Sequence, residues 1–205
     1  SIVSPGSRCP SCETPVRWFD NIPIVSWFVL GGKCRTCGTS FSIRYAGVEA
    51  LTGLFAVAAW WQVGCALLTL TELPPPEALL PIGGLFLLRF IFFAFLITIT
   101  FIDLDHFLIP HGIALPGIVV GLASPWIAQW LVGPAVLHFM WPPVTPLLSL
   151  AGAIIGFLMI VVIFYGSFAV RGVEGIGGGD APLMALFGAW LGWHALVFVL
   201  YASSL

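Results

Sequence analysis

The sequence predicts an all-α polytopic membrane protein of about five visible transmembrane helices, with a small cytoplasmic zinc-binding unit in front of them. Three observations predict it. The chain is 60% hydrophobic and 8% charged, with a mean hydropathy of +1.07, whereas soluble domains carry about 25% charged residues. Apolar runs of the ~20 residues needed to cross a hydrocarbon core recur along it. Four of the five cysteines fall as two C-x-x-C pairs before the first such run.

The boundary is drawn at residues 1–45 for the cysteine unit and 46–205 for the membrane part. Cys9-x-x-Cys12 and Cys34-x-x-Cys37 are separated by 21 residues and flanked by small turn formers, Pro10, Ser11 and Gly38. Four thiolates suit tetrahedral zinc, and a closed four-cysteine set leaves no open catalytic position, so the metal is structural. The alternative is two disulfides, which a reducing compartment disfavours. A unit this short lacks a self-sufficient core, and metal would supply much of its folding energy. Cys65 lies mid-span and reads as a small hydrophobe.

Five apolar runs follow: Ala50–Leu70, Ile82–Ile102, Gly112–Gly133, Leu147–Val170 and Ala181–Tyr201. Pro-rich connectors, TELPPPEALLP and a loop around WPPVTP, separate the first from the second and the third from the fourth. Gly152 and Gly156 form a G-x-x-x-G that permits close helix contact, although Gly-rich chains also produce that spacing by chance. No internal repeat is apparent. Arg89 lies inside the second run and Glu49 opens the first; both could line a site. Five of the seven Lys and Arg precede the first run, which places the cysteine unit in the cytoplasm. Two crossings return the chain to that face at Asp103, and two more at Asp180.

Those two carboxylates are the candidate catalytic pair. FIDLDHFLIP holds Asp103 and Asp105, which point roughly 200° apart on a helix, so only one can face a given partner. Asp103 directly follows the apolar run and is the deeper. GIGGGD ends in Asp180, with Gly175, Gly177, Gly178 and Gly179 before it. Taken singly, each aspartate also reads as an interfacial charge or an acidic helix start. Taken together, they can share a proton, one activating water while the other polarises a carbonyl. The glycines then let the backbone approach a substrate and leave the loop free to move.

At these residues the chain resembles the type IV prepilin peptidases, membrane aspartic peptidases of the GxGD group. RCPSCETPVRWFDNIPIVSWFVLGGKCRTCGTSFSIRYAGVEALTG resembles that family's zinc region, FIDLDHFLIP its first catalytic motif, and GIGGGD with LFGAWLGW its second. The resemblance implies that Asp103 and Asp180 are catalytic and that Cys9, Cys12, Cys34 and Cys37 hold zinc. It implies removal of the short basic leader from type IV prepilins and type II secretion pseudopilins, after a Gly, at the cytoplasmic face of the bacterial inner membrane. It also implies N-methylation of the new terminus from S-adenosylmethionine, for which no Gly-rich nucleotide motif appears. Family members have about eight spans, so further spans are expected beyond both ends. Pro182 stands where many members carry Lys.

The partners expected are therefore prepilin or pseudopilin substrates and membrane lipid. Nucleic acid is not among them, because the net charge is -2 and no basic patch of useful size exists. A secondary transporter would place its carboxylates near the midplane within an inverted repeat. A membrane adaptor built on the zinc unit would leave the same-side carboxylates unexplained.

Overall fold

A computed structural model of the chain describes residues 7–68, 79–137, 144–171, 177 and 179–203. The chain divides into two compact units, Ser1–Val57 and Ala58–Leu205.

The first unit is built on two turns of matching geometry. In one, Cys9 N–H donates to Thr14 O and Glu13 N–H to Cys9 O; in the other, Cys34 N–H donates to Thr39 O and Gly38 N–H to Cys34 O. An antiparallel bridge closes each, Arg8 with Pro15 and Lys33 with Ser40. The fifth residue of each turn is left-handed, Glu13 at φ 56° and Gly38 at φ 72°. The chain thus carries a short repeat that reading it for repeats does not reveal: RCPSCETP and KCRTCGTS share only a basic residue, two cysteines and a threonine. Between the turns lie a 3-10 helix, Trp18–Asn21, and the five-residue α1, Val25–Val29. α2, Ile43–Leu68, starts in this unit and continues past its last residue, Val57. Its start precedes the expected Ala50 because Ser42 Oγ accepts the Arg44 N–H and caps the first turn.

The second unit holds α3 (Leu79–His106), α4 (His111–Leu137), α5 (Pro146–Arg171), α6 (Asp180–Leu191) and α7 (Trp193–Ser203). α5 begins on local chemistry: Thr145 Oγ1 accepts the Leu148 N–H and Pro146 occupies the first turn. Among the described residues, four helices are long and apolar enough to cross a membrane: Ile43–Gly64, Leu79–His106, His111–Val132 and Pro146–Val170. The fifth expected span is not one helix. It breaks at Gly192, φ 76°, into α6 of 12 residues and α7 of 11. A 12-residue helix is about 18 Å long, short of a ~30 Å hydrocarbon core.

α6 is the hub of this unit. Eight of its residues are buried, from Ala181 and Pro182 to Ala189 and Trp190. α4, α5 and α7 pack around it, and Phe92 of α3 reaches its Trp190 ring at 5.2 Å. Small residues permit this closeness. A Cβ on Gly152 would overlap Gly188 O, and one on Gly156 would overlap Met184 O, so α5 and α6 touch backbone to backbone. The G-x-x-x-G of α5 is a true contact motif. A second one, Gly117 and Gly121 on α4, faces Leu186, Ala189 and Trp190. Polar bonds fix the register: Ser149 Oγ donates to Ala189 O at 2.6 Å and Trp190 Nε1 to Gly117 O at 2.9 Å.

Candidate active site and metal centre

The four cysteines of the first unit converge. All their sulfurs lie within 4.8 Å of one another, with Cys9 to Cys37 at 3.7 Å and Cys12 to Cys34 at 4.0 Å. Tetrahedral bonds of about 2.3 Å put sulfurs roughly 3.8 Å apart, so the cage fits a zinc-sized ion. The thiols are free. Each turn supports its second cysteine in the same way: Cys12 and Cys37 sulfurs stand 3.3 Å from the Thr14 and Thr39 hydroxyls. The Thr39 hydroxyl, then its backbone N–H, draw the Cys37 thiol down to about 6. Backbone N–H groups of Cys37 and Thr36 lower Cys34 as well. These donors favour the thiolate, which is the form that binds metal.

The unit forms a half-open cleft of 650 Å³ that reaches Cys9 and Cys34 of the cage and has Trp27, Phe41 and Tyr45 in its walls. Asp20 accepts both Arg35 Nε and Nη2, at 2.8 and 2.6 Å. Arg35 holds the Asp20 carboxyl below its ordinary range. Glu49 accepts the Ile24 N–H at 2.6 Å.

In the second unit the expected carboxylates lie at two helix ends, the last turn of α3 and the start of α6. Asp103 lies in the last turn of α3. Its carbonyl accepts the Phe107 N–H at 2.7 Å, which ends the helix and turns the chain, with Phe107 at φ 50°. Two residues on, Ile109 is buried in the core shared by α3, α4, α5 and α6. It lies against Gly179, immediately before α6. This contact sets the segment that follows α3 against the residue before α6, where Asp180 sits. Burial pushes the Asp180 carboxyl up from its ordinary value, the Asp103 charge pushes it the same way, and the Gly177 backbone partly offsets both. Asp103 is exposed and Asp180 partly buried.

Of the glycines before Asp180, Gly175 and Gly178 lie outside the described residues. Gly177 O accepts the Asp180 N–H at 3.1 Å. A Cβ on Gly177 would stand 3.6 Å from Asp180 Oδ2 and one on Gly179 3.5 Å from Ile109, both ordinary contacts. Gly179 has φ -69°, so neither steric room nor a left-handed backbone requires glycine there. Sequence reasoning missed Ile109 as the residue that joins the two motifs, and missed Gly117 and Gly121. The glycine pair was visible as a second G-x-x-x-G; for Ile109 no local signal exists.

Comparison with known proteins adds the following. Residues 90–205 match the family model described as "Type IV leader peptidase family", and residues 1–63 that described as "Bacterial Peptidase A24 N-terminal domain". A prepilin leader peptidase/N-methyltransferase of Myxococcus xanthus is 35% identical over 205 residues, covering 100% of this chain and 52% of that protein. The one from Neisseria gonorrhoeae is 37% identical, covering 100% and 61%, and that from Aeromonas hydrophila 35%, covering 100% and 60%. The chain thus spans about half to three-fifths of the length of these relatives. No solved structure matches.

Proposed function

Because the chain belongs to the type IV leader peptidase family, we propose that it is the core of a membrane aspartic endopeptidase that cleaves the leaders of type IV prepilins and type II secretion pseudopilins. The observation that carries this reading is the packing of buried Ile109, six residues after Asp103, on Gly179, immediately before Asp180. Two carboxyls brought into contact at these ends would hold one proton between them. Burial favours the protonated form at Asp180, so Asp180 donates to the scissile carbonyl oxygen while Asp103 takes a proton from the attacking water. The tetrahedral centre then collapses, the C–N bond breaks, and the leaving amine takes up the proton.

The four cysteines would hold zinc as a closed structural site, and residues 1–45 and 46–205 would divide into zinc unit and peptidase domain. The Lys and Arg distribution supports a cytoplasmic zinc unit and active site at the inner membrane. The relatives' names support a second step, methylation of the new N-terminus with S-adenosylmethionine as donor. The 650 Å³ cleft lies within the roughly 300–1,000 Å³ of small-molecule sites, and its aromatic walls suit an adenine ring. Purified protein incubated with a synthetic prepilin and labelled S-adenosylmethionine, with the products weighed, tests both steps. Cleavage lost in Asp103→Asn and in Asp180→Asn supports the reading; cleavage retained in both overturns it.

A further inference from the structure

Trp18–Val29 forms a collar on the cysteine unit that the peptidase chemistry does not use. α1 is two-sided. Trp27 faces inward: a Cβ on Gly32 would meet its ring at 2.9 Å, and its Nε1–H donates to Phe41 O at 3.2 Å. Val25, Phe28 and Val29, spaced i, i+3 and i+4 on the other face, are 53%, 66% and 72% exposed. Trp18, on the neighbouring 3-10 helix, is 80% exposed.

Two observations say what covers this face. One is depth. The N–H of Ile24, immediately before α1, donates to Glu49 Oε2 at 2.6 Å, and Glu49 lies in the candidate span Ile43–Gly64. Both residues belong to the same compact unit. α1 therefore begins level with the first turns of a helix that enters the bilayer, about 9 Å along from Ile43 at 1.5 Å per residue. Ile24 keeps this bond while held at φ 65°, a conformation that β-branched residues avoid. The other is charge. The Arg17 and Arg35 guanidinium groups each lie 5.7 Å from the Phe19 ring at the edge of the collar. The unit as a whole carries five Lys and Arg against Glu13, Asp20 and Glu49. Arg35 is engaged by Asp20, so Arg17 is the guanidinium that this edge offers, and aromatic and aliphatic residues beside a guanidinium match the boundary between acyl chains and headgroup phosphates.

We infer that the Trp18–Val29 collar is an interfacial docking surface for phospholipid. Its rings and Val25, Phe28 and Val29 enter the acyl boundary of the membrane that α2 crosses, and Arg17 meets the phosphates. The bond from Ile24 to Glu49 sets the depth, so the zinc unit is held against the membrane surface. The inference does not depend on the peptidase reading.

The test uses the full chain in phospholipid nanodiscs, with benzoylphenylalanine replacing Phe28 in one protein and Val29 in another. Bound zinc, measured in each, reports that the unit is folded. Irradiation followed by mass spectrometry should find phospholipid adducts at both positions, and Glu49→Ala should lower their yield severalfold. Adducts confined to residues 58–205 or to a second copy of the chain, no adduct at either position, or a yield unmoved by Glu49→Ala would each overturn the proposal.

Discussion

Replacing Gly156 by Ala tests whether close packing of α6 is what positions Asp180. The added Cβ would overlap Met184 O, and Met184 lies four residues, about 6 Å along the helix, from Asp180. Neither backbone can rotate away, so α5 and α6 must part by roughly 1 Å to restore ordinary contact. Overpacking of this kind costs about 1–3 kcal/mol, against which the better helix propensity of Ala returns up to about 1 kcal/mol. The net expectation is a melting temperature lowered by a few degrees in detergent. Cleavage of a synthetic prepilin should fall by more, because a ~1 Å misplacement of a catalytic group can cost about 10²-fold. Gly166→Ala supplies the control on the same helix, since a Cβ there meets nothing within 4 Å. It should leave cleavage unchanged and stability equal or slightly higher. If Gly156→Ala matches Gly166→Ala in both melting and cleavage, the backbone contact does not position the aspartate.

Four further outcomes are expected. Cys34→Ser and Cys9→Ser should each release zinc, read by elemental analysis, because the two turns contribute equivalent pairs to one cage. Glu13→Gly should raise the thermal stability of the cysteine unit by about 1 kcal/mol by relieving the left-handed residue, and Gly38→Ala should lower it by about as much. Asp103→Asn and Asp180→Asn should each abolish cleavage, with the double variant no worse than either, since residues acting as a unit are non-additive. Asp105→Asn should keep substantial activity; the reverse ranking would place the wrong face of α3 at the site. The pH–rate profile follows from the raised Asp180 carboxyl. Asp180 keeps its proton above its ordinary range, so cleavage should decline as pH rises through that raised value. Asp180 adds stability that is present below its unfolded value and lost on the same rise. A rate still flat well above neutrality would count against a shared proton.

Much of this protein is carried by features contiguous in the chain. Hydropathy runs predict the long helices, because lipid demands about 20 apolar residues wherever they occur. Two C-x-x-C turns predict a metal cage, since each gathers its ligands within four residues and needs only one long-range closure. The helix starts at Ser42 and Thr145 are likewise local, set by side-chain caps. What tertiary structure decided are the matters that depend on partners distant in sequence. Hydropathy could not show that Ala181–Tyr201 breaks at Gly192, because both halves are equally apolar. The break is tolerated where α6 is enclosed by α3, α4, α5 and α7, and where Gly192 can take φ 76°. Nor could spacing distinguish a chance G-x-x-x-G from a contact. Gly152 and Gly156 acquire meaning only when Gly188 and Met184 carbonyls lie against them. Asp103 and Asp180, 77 residues apart in the chain, are linked through the packing of Ile109 on Gly179, a contact made without any motif. Local chemistry names its residues in the sequence, whereas packing assigns their neighbours only once the chain is folded.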